Sequence, residues 1–170
     1  MKDLVEDMLT LARTESGTRL PEETVDLSDT VLESALAFEP VAFESGRELS
    51  YDIQPELTVR GSAVQLRRLA DILLDNAMKY ALDSAPVRIG LKKEKAGVVL
   101  RCLNACAELP QEELNKLFDR FYRPDKSRSS ETGGFGIGLS IARSIAQAHK
   151  GTIKAAAPQP GIIEFTAVLK

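Results

Sequence analysis

Apolar residues recur along this chain first with a helical period near 3.6 and then in short alternating runs, and the two patterns take turns to the C-terminus. Leu4, Val5, Met8, Leu9, Leu11 and Ala12 predict an N-terminal helix, closed by Ser16-Gly17 and, farther on, Pro21. A helix this short cannot bury its own stripe. It reads as the tail of a longer helix whose partner lies outside this chain. Glu23 to Leu27 predicts a short strand, and Ser28 an N-cap for a helix with Val31, Leu32, Ala35 and Leu36 on one face. Short strands at Leu49 to Ile53 and Leu57 to Arg60, around Pro55, precede a long helix from about Ser62 to Ala81.

Val87 to Lys93 and Val98 to Leu103 read as a hairpin turning through Glu94 to Gly97. From Asn104 to Gly134 the chain is mostly loop, with a short helix near Gln111 to Phe118. An irregular stretch of that length in a compact domain is usually functional, commonly a lid. A helix then runs to about His149 and ends at Gly151, followed by strands near Thr152 to Ala156 and Ile162 to Leu169. The sum predicts an α/β two-layer sandwich, a mixed and mainly antiparallel sheet with helices on one face.

Composition narrows the choice of function. The chain has 170 residues, 44% of them hydrophobic, and a net charge of −3, with no basic field for nucleic acid beyond the cluster Arg120, Arg123, Lys126 and Arg128. No apolar run approaches the ~20 residues needed to cross a bilayer, and no signal-peptide pattern opens the chain, so this piece is expected to be cytosolic and not membrane-inserted. Cys102 and Cys106 lack a second pair, and with His149 as the single histidine no zinc cage assembles. Their spacing allows a local bridge if the chain bends there, and otherwise free thiols.

Two segments carry chemistry. Gly133-Gly134-Phe135-Gly136-Ile137-Gly138-Leu139-Ser140 runs directly into an amphipathic helix. Glycine lets backbone N–H groups approach an anion, and a helix N-terminus adds unpaired N–H groups and the positive end of its dipole, so the segment reads as a phosphate cradle. On the long central helix, at about 100° per residue, Ile72, Asn76, Lys79 and Tyr80 share a narrow arc, while Leu66, Leu69, Leu73 and Ala77 turn to the core. An amide oxygen, an ammonium and an aromatic ring on one arc suit a Mg²⁺-nucleotide, although the same residues also suit an ordinary solvated face.

Asp75 to Tyr80, Leu117-Phe118-Asp119-Arg120-Phe121-Tyr122-Arg123 and Gly133 to Leu139 occur in an order and spacing that resembles the catalytic and ATP-binding domain of two-component sensor histidine kinases. They look like that family's N box, F box and second glycine box on the GHKL (Bergerat) fold. Leu4 to Arg13 followed by Glu15-Ser16-Gly17 resembles the end of its second dimerisation helix, dividing the chain into 1–17 and a domain over 18–170 with a lid at about 104–134. The resemblance implies ATP and Mg²⁺ as ligands, with Asn76 on the metal, Lys79 on phosphate and Tyr80 beside the nucleotide. It implies Gly134, Gly136, Ile137, Gly138 and Leu139 around the phosphates, Arg123 and Lys126 reaching in from the lid, and Phe118 and Phe121 anchoring it. It further implies a parent homodimer in the inner membrane, contacts with its own dimerisation domain and a response regulator, and this domain on the cytoplasmic side.

The chain departs from the family pattern where a first glycine box is expected. Asn104-Ala105-Cys106-Ala107-Glu108 replaces Asp-x-Gly-x-Gly. Asn104 can accept from an adenine amino group through its amide oxygen, but its NH₂ must find another partner. Cys106 and Glu108 place side chains where glycines stood, and any positive φ there costs more, which predicts weakened or altered base binding. The residue one turn before Asn76, often a second Asn in the family, is Ile72. His149, at a helix end, reads as a partner of the helix dipole rather than a phosphoacceptor, so this chain alone is not expected to autophosphorylate. Two functions stay open: the ATP-binding half of an active sensor kinase, and a degenerate module acting through protein contacts.

Overall fold

The computed structural model describes residues 2–17, 22–124 and 135–170. The chain runs α1 (Lys2–Glu15), β1 (Glu23–Asp26), α2 (Leu27–Glu44), β2 (Leu49–Ile53), β3 (Thr58–Gly61), α3 (Ala63–Tyr80), β4 (Val87–Glu94), β5 (Gly97–Ala105), α4 (Gln111–Lys116), α5 (Gly138–Ala148), β6 (Thr152–Gln159) and β7 (Ile162–Leu169). Five strands form one sheet in the order β2-β4-β5-β7-β6, and β1 pairs with β3 in a separate two-stranded ribbon. Only β2 and β4 run parallel; the other pairs are antiparallel. The two-layer sandwich expected from the chain pattern is the one observed.

Strand alternation decides the layer boundary. Cross-strand register aligns Ile89, Cys102 and Phe165 in one row and Leu91, Leu100 and Ala167 in the next, all buried beneath the helices. Leu66, Leu69, Leu73 and Leu74 of α3 are fully buried against this surface. Burial of each such side chain contributes about 1.5–3 kcal/mol before entropy is charged. The next row along, Val87, Asn104 and Ile163, is also buried and contains a single polar side chain.

The second helix begins two residues earlier than its sequence suggests. Asp26 is the N-cap, its carboxylate accepting from Asp29 N at 2.9 Å. Ser28 instead lies within α2, donating to Gln54 O at 2.6 Å and accepting from Leu57 N at 2.9 Å, which ties the helix start to the β2–β3 connection. The buried face is therefore Leu27, Val31, Ser34 and Ala35, with Leu36 exposed. Ser34 tolerates burial because its hydroxyl donates to Asp71 Oδ1 at 2.5 Å.

The apolar stripe of α1 divides into two faces. Leu4 and Leu11 turn toward the hydrophobic body, where α1 packs on α5, while Val5, Met8 and Leu9 are exposed. Ion pairs Asp7–Arg68 and Glu15–Arg120 fasten the helix at its middle and at its C-terminal end.

His149 joins the two helices that carry the candidate motifs, and it does so as an uncharged ring. It is 3% exposed, with Nδ1 on Ile145 O at 2.8 Å and Nε2 accepting from Ser62 N at 3.1 Å. That hydrogen-bond pattern requires the tautomer with the proton on Nδ1. Burial lowers the ring's pKa below its usual value, against the Ile145 carbonyl, which raises it. His149 thus meets a carbonyl at the end of α5, as a helix-end partner does, and is in addition a neutral connector between the C-terminus of α5 and the N-terminus of α3. Gly61 makes room for it, since a Cβ at that position would lie 2.1 Å from His149 Cδ2.

Because the folded pKa is depressed, the unfolded chain binds the proton more readily. The contribution of His149 is complete above about pH 6.5 and is lost as pH falls through that value toward the lower folded pKa. Urea unfolding should therefore show wild type losing stability between about pH 7.5 and pH 5.5, with a smaller loss in His149→Gln. Gly61→Ala should destabilise by about 1–3 kcal/mol at neutral pH through overpacking against the ring.

Candidate functional site

The last turns of α3 emerge from the buried layer with their polar arc open. Asn76 and Lys79 are half-buried and Tyr80 is 42% exposed, while Leu73 and Ala77 face the core as the helical period requires. Ile72 does not share that opening. It is buried and stands under the start of α5, where a Cβ on Gly138 would lie 3.7 Å from Ile72 Cγ2. Lys79 Nζ pairs with Asp75 Oδ2 at 2.7 Å one turn back. An exposed i,i+4 pair of this kind is worth only ~0.3–0.5 kcal/mol, so the ammonium is readily exchanged onto a stronger anion.

The start of α5 has the form of an anion site. Ile137 occupies the N-cap position with no side-chain cap bond, leaving first-turn N–H groups of α5 without that partner. The side chains of Ile137 and Leu139 are buried, so these two residues can serve a ligand only through backbone. Gly136 has φ +73, and a Cβ there would stand 3.0 Å from both Cα and C of Phe121. Phe121 N donates to Gly136 O at 2.8 Å, which joins the F-box-like segment to the glycine loop through main chain alone. Gly134 and Lys126 lie outside the described residues.

Of the two phenylalanines expected to anchor this region, one does so. Phe118 is buried and meets Phe165 edge-on, with ring centroids 6.1 Å apart and planes at 87°. Phe121 is 63% exposed with φ +62, and its anchor is the backbone bond to Gly136 rather than its ring. Arg123 follows two residues later and is half-buried.

The expected base wall is Asn104, near the end of β5. It is 1% exposed, between Val87 and Ile163 in register. Its Nδ2 donates to Ala105 O at 3.0 Å, and its Oδ1 is buried with no partner among the described residues. A buried acceptor left unpaired costs about 1–3 kcal/mol, so an N–H donor supplied by a ligand would be strongly favoured there. The amide nitrogen has found the separate partner its chemistry demanded.

The substitutions at Cys106 and Glu108 do not strain the backbone, because neither residue has a positive φ. Both line a cleft of ≈ 290 Å³ shared with Pro158, Gly161 and Ile163 of the β6–β7 turn region, and Glu108 is exposed. No bend brings Cys102 and Cys106 together. Four residues of extended chain separate their Cα atoms by about 13 Å, against at most about 7 Å for a disulfide. Both are free, burial raises both thiols above their usual pKa, and Cys102 reaches about 12. Among the described residues no cluster of three or more His, Cys, Asp or Glu side chains forms a metal cage. A metal at Asn76 would take one protein oxygen and draw its remaining ligands from phosphate and water, which is the donor set Mg²⁺ favours.

What the sequence pattern could not locate is the seam between the two walls. Leu82 N donates to Ala105 O at 3.0 Å, linking the end of α3 to the end of β5. Backbone bonds of this kind carry no side-chain signature.

A buried sheet under an α3 helix with an open polar end, and an α5 helix opening on a glycine loop, define a nucleotide-binding sandwich. Residues 61–170 match the family described as histidine kinase-, DNA gyrase B-, and HSP90-like ATPase, and the chain belongs to that family. Within it, the chain is the ATP-binding domain of the sensor histidine kinase type. It is 40% identical over 153 residues to the probable sensor protein PcoS of Escherichia coli, covering 89% of this chain and 32% of that protein. It is 36% identical over 154 residues to the sensor histidine kinase CusS of Escherichia coli K12, covering 90% of this chain and 32% of that one. The chain thus spans about a third of the length of these relatives. The Acinetobacter baumannii histidine kinase AdeS has the same fold, at a TM-score of 0.78 and 23% identity over 99% of this chain and 77% of that one. Full-length ShkA, solved with AMPPNP, superposes at a TM-score of 0.83 and 22% identity over 97% of this chain and 34% of its own. No helix among the described residues is long and apolar enough to cross a membrane.

Gly136→Ala should weaken the joint between the F-box-like segment and the glycine loop, because the new Cβ meets backbone and a left-handed conformation is imposed on alanine. The expected result is about 1–2 kcal/mol of lost stability and faster hydrogen exchange at the Phe121 amide, measured by NMR against wild type.

Proposed function

We propose that this domain binds Mg²⁺-ATP between the end of α3, the start of α5 and Asn104, and presents the γ-phosphoryl group to a histidine outside the chain. The observation that carries the reading is the buried, unpaired Oδ1 of Asn104, already oriented by the Nδ2 contact to Ala105 O. It is the acceptor an adenine amino group requires. On the other wall, Asn76 offers an oxygen to the metal, Lys79 leaves Asp75 for phosphate, and Tyr80 lies beside the nucleotide. Gly134, Gly136 and Gly138, with the backbone of Ile137 and Leu139, hold the phosphates at the N-terminus of α5, and Arg123 and Lys126 close from the lid.

When bound, Mg²⁺ neutralises charge on the phosphates. The protein's own work is positioning and charge stabilisation, the main requirements of phosphoryl transfer. His149 is not the acceptor in this reading, since both ring nitrogens are engaged and the ring is buried. We assign α1 to the end of a dimerisation helix, with exposed Val5, Met8 and Leu9 meeting the rest of that dimer, and residues 18–170 to the ATP-binding domain. The parent is then a dimeric sensor kinase of the inner membrane that passes phosphate to a response regulator, with this domain on the cytoplasmic side.

Isothermal titration tests the reading directly. Wild type should bind ATP with a Mg²⁺-dependent affinity, Asn76→Ala should lose most of that dependence, and Asn104→Leu should weaken ATP binding by about 5–150-fold, the equivalent of one buried unpaired contact. No ATP binding by wild type would refute the proposal and leave a protein-contact module. Labelled ATP should leave no acid-labile phosphate on this chain alone.

A further inference from the structure

Arg47 lies outside every motif quoted above, and its side-chain hydrogen bonds among the described residues go to Ala81 and Leu82 rather than to a proposed ligand group. It follows Gly46, whose φ is +64, at the end of α2. There Gly46 N donates to Phe43 O at 3.0 Å and Arg47 N to Ala42 O at 2.8 Å. This paired closure turns the chain back and aims residue 47 at the far end of α3. Its Nη2 donates to Ala81 O at 3.0 Å and its Nη1 donates to Leu82 O. Two successive carbonyls are spanned by one planar fork, which a lysine ammonium cannot reproduce, and the positive charge stands at a helix C-terminus. The Nε is buried with no partner among the described residues, so the two Nη contacts hold the group in place.

Ala81 and Leu82 sit where the two walls of the site meet. Tyr80 is the residue before them and Lys79 the one before that. On the other side, Leu82 N donates to Ala105 O, and the same carbonyl accepts Nδ2 of Asn104, each at 3.0 Å. One relay therefore runs from the Arg47 guanidinium through Leu82 to Ala105 O and ends at the amide whose Oδ1 is left open. Resting on the nucleotide reading above, we propose that Arg47 is a positioning residue for base recognition: it fixes Leu82 so that Ala105 O holds Asn104 in its adenine-accepting orientation.

The test compares wild type, Arg47→Met, Arg47→Lys and a control, Ile89→Val, in the fully buried sheet layer. ATP and ITP, which presents a carbonyl oxygen where adenine has its amino group, are titrated with Mg²⁺, and exchange of the Leu82 amide is followed by NMR without nucleotide. Arg47→Met should weaken ATP binding about tenfold, weaken ITP binding less, and so reduce the preference for ATP, with Arg47→Lys between it and wild type. Leu82 exchange should accelerate in Arg47→Met. Ile89→Val should keep the wild-type ATP to ITP ratio even where its melting temperature falls as far. If wild type prefers ATP and Arg47→Met retains both its affinity and that ratio, the positioning role is overturned while the nucleotide reading stands. If wild type binds neither nucleotide, the nucleotide reading fails and this role falls with it.

Discussion

The structure depends on one packing constraint: α3 must bury one side along the sheet while its last turn projects beyond the sheet's apolar rows. Leu66, Leu69, Leu73 and Leu74 satisfy the first requirement, and the rows of β4, β5 and β7 supply the surface beneath them. A helix advances about 100° per residue, so burying that face leaves Asn76 and Lys79 on an edge of it, while Tyr80 shares the angular position of Leu73 and is exposed as the last residue of the helix. The same layer fixes where β5 ends, and therefore places Asn104 in the last buried row of the sheet, between Val87 and Ile163. Position in the site is a by-product of packing the core.

Polar groups at the seams of this layer are few and are placed with specific partners. His149 connects the start of α3 to the end of α5 without carrying charge, which avoids the large cost of an unpaired buried cation. Cys102 fills the sheet face as a small apolar group and makes a long contact to Leu73 O, at 3.6 Å. Asn104 breaks the pattern, because half of its amide is satisfied and half is not. Arg47 Nε and Gln65 Oε1 are likewise buried without a partner among the described residues; of the three, Asn104 Oδ1 is the acceptor at the end of β5, where an N–H donor from a ligand would complete the bonding.

Several expectations changed when long-range contacts were known. Helical periodicity placed Leu36 on the inner face of α2, but the cap at Asp26 and the tertiary bonds of Ser28 and Ser34 turned a neighbouring face inward. Phe121 was expected to anchor by its ring; its positive φ leaves the ring outside and the backbone bound to Gly136. The glycine-to-side-chain changes at Cys106 and Glu108 were expected to strain the base wall. Both residues adopt ordinary φ and line the neighbouring cleft instead.

Local pattern along the chain was enough to specify the order of helices and strands, the two-layer class, the buried face of α3, the helix start after the glycine loop and the family. Each of these is written in local periodicity or in residues whose spacing is short. Long-range packing set the remainder: Asn104 is the lone polar group of its row, His149 is a neutral link, and Arg47 reaches the end of α3. Those outcomes depend on which atoms meet across 35 to 90 residues of chain, such as Arg47 with Leu82 or Ser62 with His149. A hydrogen bond's partner is set by three-dimensional register, and no local pattern of side chains encodes it.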